Sequence, residues 1–234
     1  MRNFFVFDKT ASTDFDTWIA KSNAFDAPER DVEKIEVPGR NGDLHFDNGR
    51  FKNFTLKVTA YTQSEFVKNV DGLRNWLASQ KGYQRYEENL CPDEYRLASF
   101  SDAFEVEASD RSGGYYELTF DCKPQRFLKS GETATELTSS GAISNPTNFP
   151  AHPLVRVYGT GVLGIGSQTI TINKNDTYID LDCDIEDAFT GTTNQNGNIT
   201  LNSGDFFTLD PGENGVSLGS GITKVLITPR WWRL

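Results

Sequence analysis

The sequence is short of the residues that most often carry chemistry. Its 234 residues include three cysteines, two histidines and one methionine. Cys91, Cys122 and Cys183 are odd in number and widely spaced. That excludes a disulfide framework and a CxxC metal pair, and leaves free thiols, mostly buried. His45 and His152 have no nucleophile or further ligand at a spacing that would build a triad or a zinc site, and they read as surface or turn residues. No phosphate-loop or dinucleotide glycine pattern occurs. No apolar run approaches the roughly 18–20 residues of a membrane helix. The start, Met1 to Asp8, reads as a short strand cut off by Asp8, not as a secretory signal, so cytoplasmic synthesis is expected. Positive charge is also scarce: 23 Lys/Arg stand against 33 Asp/Glu, a net charge of -10. This argues against a nucleic-acid-binding surface, which needs clustered cations, and against an anionic membrane surface. Its first use is solubility.

Apolar residues make up 37% of the chain and aromatics 12%, with 17 Phe, enough for one large or two small cores. Two turn signals sit nearly back to back in Val37-Pro38-Gly39-Arg40-Asn41-Gly42-Asp43-Leu44. Pro38-Gly39 suits a type II turn and Asn41-Gly42 a tight hairpin turn. The segment is polar until Leu44, so it reads as a projecting hairpin arm. Phe54, Leu56, Val58 and Ala60 then alternate with polar residues, as in a half-buried strand. One helix is expected over about 63–81. Phe66, Val70, Leu73 and Leu77 form its apolar stripe with Trp76 at the edge, Thr62 and Glu65 have capping-box spacing, and Gly82 is placed to stop it.

The composition changes near residue 129. Small polar residues and prolines over 136–150 suggest a linker between a domain at 1–135 and another at 151–234. The second half is rich in Gly, Thr, Asn and Asp, has no helical stripe, and shows short strands at turn-separated intervals, which suggests an antiparallel sandwich. Its run Gly159–Gly166 reads as a flexible hairpin. The acids Asp180, Asp182, Asp184, Glu186 and Asp187 tempt a calcium or acid–base reading. Alternation with Ile179, Leu181, Cys183 and Ile185 instead predicts an exposed, charged strand face. Position 185 is also Ile where an EF-hand loop needs Gly. Trp231 and Trp232 face opposite sides if they lie on a strand, as a packing or contact feature at the chain end. No catalytic residue, metal site or cofactor is expected.

Taken in order, five elements resemble the distal tail protein (Dit) family of long, non-contractile-tailed bacteriophages. They are the arm Pro38, Gly39, Arg40, Asn41, Gly42, Asp43; the helix run Leu73-Arg74-Asn75-Trp76-Leu77; Tyr95-Arg96; the strand exit from Phe120 to Phe127; and Ile227-Thr228-Pro229-Arg230-Trp231-Trp232-Arg233-Leu234. The resemblance implies a mainly β chain: an N-terminal β-sandwich carrying one helix and the projecting arm, then a C-terminal galectin-like antiparallel β-sandwich. It implies a structural virion protein, made in the host bacterial cytoplasm and located at the tail tip, and not an enzyme. Such a protein forms a homo-oligomeric, hexameric ring. The ring joins the tail tube protein to a tail-associated lysin or hub protein and docks receptor-binding or baseplate proteins for host adsorption. Neither sequence-specific nucleic acid nor membrane is an expected partner. The alternative is a carbohydrate-binding sandwich for host cell-wall saccharides, with Tyr158, Tyr178, Phe189 and Phe206 as available aromatics.

Overall fold

A computed structural model describes residues 2–100, 105–108 and 113–234. The chain divides into two compact units, Met1–Arg126 with Leu234, and Phe127–Arg233.

The first unit is built on one antiparallel sheet. Its strands run in the order Thr10–Ala11, Phe5–Phe7, Gln84–Glu88, Glu94–Ser99, Gly114–Cys122, Phe54–Thr62, Thr17–Ser22, with Glu105–Ala108 also paired to Gly114–Cys122. An isolated bridge links Asn3, just before Phe5–Phe7, to Ile19 in the strand at the far end of this order, so one face of the sheet wraps a core. The alternation predicted from Phe54 onward sets that face. Phe54, Leu56, Val58 and Ala60 are buried, as are Tyr116, Leu118, Phe120 and Cys122 from the neighbouring strand. Phe120 lies at its centre, with ring centroids 5.0 Å from Tyr86, 5.3 Å from Phe100, 5.4 Å from Phe7 and 5.9 Å from Phe5.

The helix runs Phe66–Ser79 and buries the predicted stripe Phe66, Val70, Leu73 and Leu77. Trp76 stacks on Phe15 at 5.2 Å. The capping box does not form. Glu65 is left-handed (φ 44°) with no side-chain cap, and the Thr62 hydroxyl is taken up by Tyr116 Oη at 2.9 Å. Asp16 instead holds the turn ahead of the helix, accepting from the Gln63 and Ser64 backbone N–H groups at 3.2 and 2.9 Å.

In the second unit two antiparallel sheets share one core. One runs Thr135–Leu137, Ile222–Thr228, Leu154–Gly159, Ile179–Asp182, Asp187–Thr190, Thr193–Asn194; the other runs Gly141–Asn145, Gly212–Leu218, Gly161–Ile165, Gln168–Ile172, Ile199–Leu201. Residues 136–150, which suggested a linker, lie inside this unit. Gly141–Asn145 pairs with Gly212–Leu218, and the Asn145 side chain donates to the Phe149 and Leu209 carbonyls at 2.9 and 3.0 Å. Small polar residues there serve tight turns between paired strands. The run Gly159–Gly166 is likewise not a flexible hairpin, since Gly161–Ile165 is a strand paired on both sides. Gly159 (φ 92°) abuts the Gly221 carbonyl so closely that a Cβ would collide with it.

Candidate assembly interface

The arm is a hairpin of its own, Arg30–Ile35 paired with Leu44–Phe51, in a two-stranded sheet. It begins earlier and is longer than the turn signals indicated. Its tip is the eight-residue stretch 36–43, between the paired residues Ile35 and Leu44. Pro38-Gly39 forms the expected turn: Gly39 has φ 79° and the Arg40 N–H donates to the Val37 carbonyl at 3.1 Å. The tight Asn41-Gly42 turn does not form, because only Gly42 (φ 78°) has positive φ where that turn requires both residues to have it. The register, with Ile35 opposite Leu44, leaves too wide a tip for it. Pro38, Gly39, Arg40, Asn41, Gly42 and Asp43 are all exposed.

Sequence reading missed the flank of the arm. Ile35 lies opposite Leu44, and Glu33 opposite Phe46, so Ile35, Leu44 and Phe46 share one hairpin face. They are 48%, 40% and 59% exposed. The alternation Leu44-His45-Phe46-Asp47 carried the signal. Ion pairs brace the hairpin, Arg30 to Asp47 at 2.9 Å and Arg50 to Asp31 at 2.7 Å, but exposed pairs contribute little. An isolated hairpin is marginal in water, and one with three exposed apolar side chains on a face is poised to be covered.

Trp231 is buried in the second core. Its backbone packs against Gly131, where any Cβ would collide, and its carbonyl accepts from Leu128 N–H at 2.8 Å. Trp232 is half-buried: it stacks on Phe149 at 4.5 Å and donates from Nε1 to the Pro150 carbonyl at 2.8 Å.

The acidic run is not the exposed strand face its alternation predicted. The strand ends at Asp182, and a turn follows in which Ile185 is 64% exposed and Glu186 is left-handed. Asp180 is buried and held by Arg156 through two hydrogen bonds of 2.7 and 2.8 Å. Asp182 accepts two from Arg230, at 2.6 and 2.9 Å. Asp180 and Asp182 are therefore partners of cations from elsewhere in the unit. Among the described residues no group of three His, Cys, Asp or Glu is arranged to hold a metal ion. Burial pushes the Cys122 and Cys183 thiols up to about 12, which suits inert core thiols.

Burial alone would raise the Asp182 carboxyl, but the Arg230 guanidinium and backbone N–H groups hold it below the usual aspartate range. A carboxylate lowered in the folded state stabilises above its unfolded pKa, and that contribution fades as pH falls through the lowered value. Asp182→Asn is therefore expected to cost about 1–2 kcal/mol at neutral pH, between exposed and fully buried pairs. The gap from the native chain should close below about pH 4 in urea titrations at several pH values. A pH-independent difference would refute the ion-pair account.

The aromatics available to a saccharide are partly covered. Phe206 is buried, Arg156 lies over Tyr178 at 4.1 Å, and Lys224 lies over Tyr158 at 4.6 Å.

No protein-family model matches the sequence, and no curated protein matches it. Among solved structures, the chain is similar to the Dit protein of phage SPP1, described as a paradigm of the hub adsorption apparatus in phages infecting Gram-positive hosts. The two superpose with a TM-score of 0.80 over 100% of each chain, at 13% sequence identity. The chain thus has a Dit-like fold: mainly β, with one helix and several antiparallel sheets.

Proposed function

We propose that this chain is a structural subunit of the distal end of a long phage tail, acting by assembly and not by catalysis. The first unit forms a homo-oligomeric ring, six-membered as the Dit resemblance implies. One ring face meets the tail tube protein and the other a tail-associated lysin or hub protein. The second unit, the counterpart of the galectin-like domain, docks receptor-binding or baseplate proteins. The observation that carries this reading is the arm with its uncovered face of Ile35, Leu44 and Phe46, on a chain whose whole length follows the Dit fold. A second copy is the occupant proposed for that face. Cyclic closure repeats one weak contact at every subunit, and the tip residues Pro38 to Asp43 extend it. The carbohydrate reading has less support, because cations already lie over Tyr158 and Tyr178.

The test is the solution mass by native mass spectrometry over a range of concentrations. One chain weighs 26.2 kDa. A closed ring of six is expected near 157 kDa, about six chain masses. A strict monomer, unchanged by added tube or hub protein, would overturn the ring.

A further inference from the structure

In the first unit, side chains of both charges meet around one small cavity. It is lined by Ala24, Tyr86, Glu88, Glu94, Arg96 and Arg126, among others. Glu88 Oε1 accepts from Ser22 Oγ at 2.7 Å and Tyr86 Oη at 2.9 Å. Arg96 Nη2 donates to the Ala24 carbonyl at 2.9 Å, and its guanidinium lies over the Phe54 ring at 4.7 Å. Arg126 pairs with Glu94 at 3.4 Å and donates to the Leu234 carbonyl. Glu88 and Arg96 are only 6% and 5% exposed. Yet among the described residues Glu88 Oε2, Arg96 Nη1 and Arg126 Nε are buried without a hydrogen-bond partner. All three residues line the same cavity, which has about 30 Å³ of room for water.

Orphaned charged groups on one cavity wall demand a ligand. The donors Arg96 Nη1 and Arg126 Nε want an acceptor, and the acceptor Glu88 Oε2 wants a donor. An anion would face the Glu88 and Glu94 carboxylates; a cation would face two guanidiniums. Water both donates and accepts and is small enough for this space, since one needs roughly 10–15 Å³. We infer that the cavity is a water-binding site, where one or two resident waters bridge Glu88 Oε2 to the free guanidinium nitrogens of Arg96 and Arg126. The position gives the site a role. Ser22 ends the strand Thr17–Ser22 and Ala24 follows it, on the way to the arm strand Arg30–Ile35. The hydrated cluster therefore pins the root of the arm to the hairpin formed by Gln84–Glu88 and Glu94–Ser99. The inference stands apart from the assembly reading, since it concerns the single chain.

The experiment is a crystal structure of the full chain at a resolution that shows ordered water, with a bromide soak read by anomalous scattering. Expected are one or two well-occupied waters within hydrogen-bond distance of Glu88 Oε2 and Arg96 Nη1, and no bromide peak. A dry cavity, direct contact between Glu88 Oε2 and Arg96 Nη1, or a bromide ion there would each overturn the inference. In solution, oxygen-17 relaxation dispersion is expected to count at least one fewer long-lived water in the double variant Glu88→Leu, Arg96→Met, which removes both charges. An unchanged count in that folded variant would overturn the site equally. If the double variant does not fold, the crystal of the native chain decides.

Discussion

Replacing Ile35, Leu44 and Phe46 together by serine is expected to leave a folded monomer that no longer assembles. The three side chains are about half exposed and touch neither core, so stability should change by no more than about 0.5 kcal/mol per site. What they lose is the apolar area that a second copy would cover. Burying the remaining half of three such side chains is worth about 3 kcal/mol, on the order of 10²-fold in each contact. A ring spends that loss at every interface and falls apart at working concentrations. Native mass spectrometry and thermal unfolding, run side by side, separate the two effects. Removing residues 40–43 shortens the tip without touching the apolar face, and a smaller loss is expected. Rings that survive the triple replacement would show that the arm is not the subunit contact.

Phe120→Ala is expected to act through folding. The ring is fully buried on the strand Gly114–Cys122 and meets four other aromatic rings within 6 Å. Truncating a buried Phe to Ala costs about 3–5 kcal/mol, through lost transfer free energy and the cavity left behind. A domain's stability is typically about 5–15 kcal/mol, so the first unit should lie near its unfolding threshold. Denaturant titration followed by near-ultraviolet circular dichroism reads the change. A loss below about 1 kcal/mol would mean that the neighbouring rings collapse into the space, contrary to close packing around Phe120.

What was legible in the sequence depended on the range of the forces involved. The stripe Phe66, Val70, Leu73, Leu77 and the alternation from Phe54 are periodic and local, and the structure buries both. The Pro38-Gly39 turn is local too. The capping box was misread because the Thr62 hydroxyl goes to Tyr116, and the turn ahead of the helix is held by Asp16, 47 residues from Gln63. Asp180 and Asp182 were misread because their partners, Arg156 and Arg230, come from distant parts of the chain. At the tip of the candidate interface the Pro38-Gly39 turn was legible from turn chemistry, while the predicted Asn41-Gly42 turn does not form. Its apolar flank was not, because Ile35 joins Leu44 and Phe46 only through a register that sequence does not fix. The order of strands in either unit rests wholly on such distant pairings.

That order has a consequence for synthesis. In the first sheet, Gly114–Cys122 lies between Glu94–Ser99 and Phe54–Thr62, so the late strand sits in the middle. A growing chain therefore presents two incomplete half-sheets, each with an open apolar edge. They can be joined only after residue 122 has been synthesised, which takes roughly 6–24 seconds at about 5–20 residues per second. Long-range pairing of this kind folds slowly. Meanwhile Leu56 and Val58 wait for their strand partners, and Phe5 and Phe7 for the Phe120 ring, none of them yet made. The nascent first unit is thus a natural client for a holding chaperone until its middle strand arrives.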